Sequence, residues 1–238
     1  MILRRIANSL VGQDWPALFA EFVLVIVGIL IALQLDNWNS ERIAKSEEGD
    51  YLTRLVVQLE ETRAFNEDAI AQTVNKLAQQ ERAYLMLLDG KLTDEAMPEF
   101  EADFQALDYY AQPKTEISVM SELIASGKVS IIGDAQLRAA VTEYQNAIDV
   151  LELSIVAHFE AFLQLRERTH QAVRLRPSDG NEESIMDTAN DLVGNDSLRG
   201  IFSFSRELNA VQLDLIRSFH AETLALLNQI KQYVNKDG

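Results

Sequence analysis

The chain has 238 residues, 21 Lys+Arg against 37 Asp+Glu, a net charge of −16 and no cysteine. So acidic a chain lacks the clustered cations that phosphate binding needs, which excludes nucleic acid as a partner. Without thiolates it has no thiolate zinc site, iron–sulfur cluster or cysteine nucleophile.

The first element is Met1–Leu10. Ile2, Ile6 and Leu10 fall on one helical face while Arg4 and Arg5 fall elsewhere. This suits an amphipathic segment over residues 1–15 lying at a membrane surface, its arginines toward anionic headgroups. Residues 16–38 follow as a transmembrane helix. From Phe22 to Leu33 every residue is apolar or Gly, and the tolerant run Ala17–Leu35 covers 19 residues, broken by Glu21 and Gln34. At 1.5 Å per residue that is about 28 Å, close to the hydrocarbon thickness of a bilayer. Trp15 and Trp38 flank the run where aromatic belts form. A cleaved secretory signal is the rival reading. Against it stand Asp14, Pro16 and Glu21 ahead of the core, and no small-residue cleavage site in the QLDNWNSE that follows.

Arg4 and Arg5 against Asp14, Glu21 and Asp36 leave a net of −1 on residues 1–38, so −15 of the charge falls on residues 39–238. The basic amino-terminal segment suits the cytoplasmic leaflet. The expected topology is therefore single-pass in a bacterial inner membrane, amino terminus cytoplasmic and an acidic ectodomain periplasmic. Within the span Ala17, Glu21, Gly28 and Ala32 share one face. Gly28 and Ala32 form a small-xxx-small pair that lets helix backbones approach closely. Glu21 on that stripe either meets a helix partner, lines a polar path, or snorkels to the interface.

No breaker separates the span from a helix over about 40–88, with Gly90 as its C-terminal cap. Its expected inward set is Leu52, Leu55, Leu59, Thr62, Asn66, Ile70, Val74, Leu77, Tyr84 and Leu88. Thr62 and Asn66, with Glu60, Glu61, Glu67 and Asp68 around them, read as a solvated stretch; a register-fixing polar layer is the other reading. Residues 89–133, cut by Gly90, Pro98, Pro113, Gly127 and Gly133, form short pieces. Helices from Thr93 to about Leu107 and from Thr115 to Ser126 are expected to build a membrane-distal cap.

Asp134 caps a helix over about 134–174 with an unbroken heptad seam from Leu137 to Thr169 through Val141, Tyr144, Ile148, Leu151, Ile155, His158, Phe162 and Leu165. His158 on this seam reads as a hydrogen-bonded core histidine. After a turn centred on Pro177, Asp179 and Gly180, Asp196 caps a last helix over about 196–235. Its expected inward residues are Ile201, Phe204, Leu208, Val211, Leu215, Phe219, Leu226, Ile230 and Tyr233. The expected fold is all-α: a transmembrane helix continuing into an antiparallel bundle of three long helices, with a small distal cap.

Two stretches resemble an uncharacterised family of bacterial single-span membrane proteins. In the anchor, Glu21, Gly28, Ile29, Ala32, Leu33 and Trp38 match that family's pattern of acid, apolar Gly-Ile-Leu-Ile-Ala-Leu run and tryptophan. Glu122–Tyr144, ELIASGKVSIIGDAQLRAAVTEY, is similar to its helix, Ser-Gly turn and Leu-Arg helix ending in tyrosine. Together they cover about a fifth of the chain. The resemblance implies location and helical build, and supplies no activity, cofactor or catalytic residue.

No chemistry stands out. Glu167 and His170 have the Glu-x-x-His spacing of di-metal bundles, but the second copy such a site needs is missing, so neither metal nor cofactor is expected. No phosphate loop or nucleophile elbow occurs. The expectation is a non-enzymatic, membrane-anchored interaction protein, either a homo-oligomer or an accessory subunit of a membrane complex. A sensor-like periplasmic ligand-binding bundle and a homo-oligomeric pore using Glu21 stay open as alternatives.

Overall fold

A computed structural model describes residues 15–177 and 183–237. Arg4 and Arg5 of the interfacial segment, and Asp179 and Gly180 of the turn, lie outside the described residues. The helices are α1 (Trp15–Leu88), α2 (Met97–Phe104), α3 (Ser118–Ala125), α4 (Ala135–Ala172), α5 (Ala189–Val193) and α6 (Asp196–Asp237). Short 3₁₀ turns lie at Gln105–Asp108 and Lys128–Ile131, and β1 (Leu175–Pro177) pairs antiparallel with β2 (Glu183–Ile185). The fold is all-α with a long N-terminal helix, as expected. The chain divides into two compact units, residues 1–50 and 51–238, within α1.

Local signals act largely where the sequence puts them. Gly90, at φ 63°, ends α1 and returns its chain to the helix through Lys91 N–H to Met86 O at 3.1 Å. Asp134 caps α4 by accepting from Leu137 N–H at 2.7 Å, and Gly127 at φ 68° ends α3. Three boundaries differ. Pro98 has no N–H and sits in the first turn of α2, so that helix starts at Met97 instead of Thr93. Thr115 gives its hydroxyl to Glu152, and α3 starts at Ser118. Asn195, one residue before Asp196, accepts from Leu198 N–H at 3.0 Å and caps α6.

Within unit 2 the larger difference is the course of residues 89–133. They do not gather as a cap at one end; they run back along α1. Arg82 binds Asp103, Gln80 donates to Ala106 O, Asn66 accepts from Lys114 N–H, Gln58 accepts from Val119 N–H, and Tyr51 and Arg54 donate to Glu122. The partner on α1 falls from 82 to 51 as the segment rises from 103 to 122. Consequently α4 starts beside Tyr51 and runs parallel to α1, and α6 returns antiparallel to both. Arg206 pairs with Glu81, His220 faces Glu67 and Lys231 pairs with Glu60. The turn around residues 174–195 therefore lies at the Leu88 end and the end of α6 at the Tyr51 end, so that of the three long helices α1 and α4 are parallel and α6 alone is antiparallel. The unit is an up-down-up-down bundle whose second column is broken.

Two apolar clusters close its ends. One joins Leu52, Leu55 and Leu59 to Met120, Leu123, Val141, Tyr144, Leu226 and Ile230. The other joins Ala83 and Leu87 to Phe100, Phe104, Leu165, Leu198 and Phe202, with the three rings 6.0–6.2 Å apart. Each fully buried Leu or Phe contributes about 1.5–3 kcal/mol relative to exposure.

Candidate functional site

Between those clusters the bundle is polar. Thr62, Asn66, Thr73 and Gln80 of α1 and Ser205, Asn209, Gln212 and Thr223 of α6 are buried. The solvated reading of Thr62 and Asn66 is thus corrected: both have 0% exposure. The seam of α1 is a strict heptad, 52-55-59-62-66-69-73-76-80-83-87. Ala69, Thr73, Gln80, Ala83 and Leu87 face inward in place of the expected Ile70, Val74, Leu77, Tyr84 and Leu88. On α6 the seam is 198-202-205-209-212-216-219-223-226-230, and the expected Phe204 and Val211 are exposed. The seam of α4 runs as predicted, with Ile155 and His158 partly buried and His158 Nδ1 at 2.8 Å from Ser154 O.

The second column supplies the reason for polar seams. Residues 106 to 114 span what α1 covers between Gln80 and Asn66, about 21 Å at 1.5 Å per residue, so eight steps advance about 2.6 Å each. A helix cannot do this, and the extended backbone leaves its amides and carbonyls without helical partners. Buried side chains on the neighbouring columns supply them. Gln212 donates to Ala111 O and Asn66 Oδ1 accepts from Lys114 N–H at 3.0 Å, while Gln80 adds a second donor at 2.8 Å to Ala106 O, which closes the 3₁₀ turn with Tyr109 N–H. Tyr110 in turn donates to Ile155 O at 2.9 Å, and burial pushes its phenol above the ordinary value. A pair deeper in the bundle, Tyr144 and Thr223, exchanges a hydroxyl hydrogen bond at 2.8 Å, and burial raises Tyr144 as well.

Gln80 uses both ends of its amide, since its Oε1 accepts from Asn209, but the other two clamping amides are half used. Asn66 Nδ2 and Gln212 Oε1, with Thr62 Oγ1 and His220 Nδ1, are buried without a hydrogen-bond partner. Each such group costs about 1–3 kcal/mol, so the polar midsection stabilises the unit less than either end.

In unit 1 the predicted residues take these places. The side chains of Trp15 and Ala17 are outside the description. Glu21 and Ala32 are exposed, and a Cβ at Gly28 would meet no atom within 4 Å. Trp38 is exposed, with the Arg42 guanidinium 5.7 Å above its ring. Among the described residues one helix is long and apolar enough to cross a membrane, and none of its most apolar 18-residue window is buried. Glu21, Gly28 and Ala32 therefore share one exposed helix face.

The histidines stay apart. His220 Nε2 lies 3.8 Å from Glu67 Oε1, and Glu167 accepts from Gln171. Among the described residues no three His, Asp or Glu side chains converge as metal ligands. Several acids on the surface of unit 2, among them Glu60, Glu67, Asp108 and Glu122, instead serve as ion-pair partners. Hydrogen bonds from Tyr51 and Arg54 hold Glu122 below the ordinary carboxylate value, and Lys231 and Arg63 do the same for Glu60.

No family model matches the chain, and neither a curated protein nor a solved structure is found to be similar to it.

Proposed function

We propose that the chain is a non-enzymatic, membrane-anchored helical interaction protein. In this reading residues 16–38 cross a bacterial inner membrane once, the amino terminus is cytoplasmic, and the bundle stands in the periplasm. It works as a homo-oligomer or as an accessory subunit of a membrane complex, assembling along Ala17, Glu21, Gly28 and Ala32. Arg4, Arg5, Trp15 and Trp38 anchor the ends of the span. The resemblance of the anchor and of Glu122–Tyr144 to bacterial single-span membrane proteins belongs to the same proposal.

The carrying observation is the unbroken exposure of an apolar run from Phe19 to Leu35, while the bundle buries leucines such as Leu52, Leu55, Leu59 and Leu87. Exposed Phe, Leu, Ile and Val contribute favourably when they move from water to hydrocarbon, at roughly 25 cal/mol per Å². Gly28 adds a point where a second backbone can approach, since among the described residues no atom lies within 4 Å of a Cβ placed there. Native mass spectrometry of the detergent-solubilised protein tests the assembly. A discrete oligomer is expected, shifted toward monomer by Gly28→Leu. A wild-type monomer at micromolar concentration, still bound to no other subunit after mild extraction, refutes the reading.

A further inference from the structure

The outer side of α4 carries an exposed apolar ridge, whose Phe159 end rests against the Tyr110 ring. Val150, Leu153, Val156 and Phe159 are 66%, 75%, 60% and 44% exposed. Their i, i+3 spacing strings them along one ridge that crosses the outer side of α4 obliquely, one of the two ridge types by which helices interlock. At its Val150 end, between α4 and α6, opens a cleft of about 290 Å³ lined by Ala147, Val150, Leu151, Leu215 and Phe219. Ridge and adjacent groove are what a docked helix needs, an apolar stripe to cover and a channel to enter.

Charge selects the occupant. From Arg138 to Arg166 the chain contains no Lys or Arg, while Glu143, Asp149, Glu152 and Glu160 stand exposed on α4, and Glu222 borders the cleft from α6. None of these five carboxylates takes part in an ion pair among the described residues; Asp149 accepts only from Gln145, and Glu152 only from Thr115. A second copy would bring the same acids to the same rim in a chain of net charge −16, a like-charge arrangement that opposes association. An apolar stripe between unpaired carboxylates is complementary to an apolar stripe between cations.

We propose that the Val150–Phe159 ridge and the cleft beside it dock a basic amphipathic helix of a partner protein, with Lys and Arg flanking its apolar face. The surface lies wholly on unit 2 and does not depend on the Gly28 stripe, so either assignment can fail while the other holds.

The test uses the full chain in zwitterionic nanodiscs and a dye-labelled 18-residue peptide of Leu on one helical face and Lys on the other. A peptide with Glu in place of Lys is the control, and empty nanodiscs set the background. Binding of the Lys peptide above background is expected, with none for the Glu peptide. Leu153→Ser/Val156→Ser, which alters only exposed side chains, weakens binding about tenfold or more, and Asp149→Asn/Glu160→Gln weakens it severalfold and flattens its salt dependence. Helix content by circular dichroism must match wild type in each variant. Equal binding by either variant, equal binding of the two peptides, or a signal no larger than that of empty nanodiscs overturns the proposal. Sedimentation that finds a wild-type dimer lost in Leu153→Ser/Val156→Ser overturns it too, by making the occupant a second copy.

Discussion

Two stretches of the same helix reverse the usual rule of what is inside. Phe19–Leu35 of α1 is apolar and exposed, whereas the seam from Thr62 to Gln80 is largely polar and buried. A helix in water sorts its residues the other way. Each exception has its own cause. The buried polar stretch faces an extended backbone whose amides and carbonyls have no helical partners, so the neighbouring columns provide amide side chains. The exposed apolar stretch is long and apolar enough to cross a membrane, and in the proposed reading its solvent is hydrocarbon. Burial here follows register and neighbours, and hydrophobicity alone does not predict it.

The largest effect that sharpens this contrast is in the apolar end of the bundle. Phe202→Ala removes a fully buried ring in contact with Phe100 and Phe104. A loss of about 3–5 kcal/mol in chemical denaturation of unit 2 is expected. Leu30→Ala, an equally drastic truncation in the exposed run, should leave that transition unmoved.

The next effect tests whether the polar seam is needed. Asn66→Leu puts an apolar residue on the heptad position but takes the acceptor from Lys114 N–H. A cost of about 1–3 kcal/mol is expected, together with faster hydrogen exchange across residues 109–117. Val74→Asn, on an exposed position, should change stability by no more than about 0.5 kcal/mol. A stabilised Asn66→Leu would mean that the extended column does not depend on its clamp.

The smallest effect is at the surface. The carboxyls of Glu60 and Glu122 are held below their ordinary value of 4.5 by Lys231 and Arg63, and by Tyr51 and Arg54. A carboxylate whose folded value is lowered contributes stability that is fully present above the unfolded value. That stability is lost as pH falls through the folded one. Stability should therefore decline below pH 4.5, and Glu122→Gln should make that decline shallower without altering its course above pH 6. An unchanged acid slope in Glu122→Gln would remove this contact from the account.

The sequence makes some of this readable and hides the rest for identifiable reasons. The α4 seam is legible because every position but His158 and Thr169 is apolar or aromatic, so hydrophobic period and geometric register coincide. On α1 they part at Asn66. The true seam continues through Ala69, Thr73 and Gln80, while Ile70 and Val74 beside them attract a hydrophobicity-based reading one position off. The same slip occurs on α6, where Phe204 and Val211 displace Ser205 and Gln212. The extended column is harder still. Gln212 to Ala111 and Asn66 to Lys114 are contacts across 101 and 48 residues, and no local pattern announces them. Caps and stops, by contrast, are local, which is why Gly90, Gly127 and Asp134 act where they were expected. Glu21, Gly28 and Ala32 stand out because a polar or small residue in an apolar run is conspicuous. The Val150–Phe159 ridge passes unnoticed in sequence because apolar residues on both faces of α4 read simply as a good core helix.

The most direct measurement of the central claim uses the absence of native cysteine. Leu30→Cys and Leu153→Cys, each the sole thiol in the full chain, are treated with a membrane-impermeant maleimide in intact membranes opened to both aqueous sides. Both leucines are exposed, at 55% and 75%, so folding alone does not distinguish them. The account predicts that Leu153→Cys is labelled while Leu30→Cys is protected until detergent dissolves the bilayer. Equal labelling of the two before detergent would show that Phe19–Leu35 stands in water, and would contradict it.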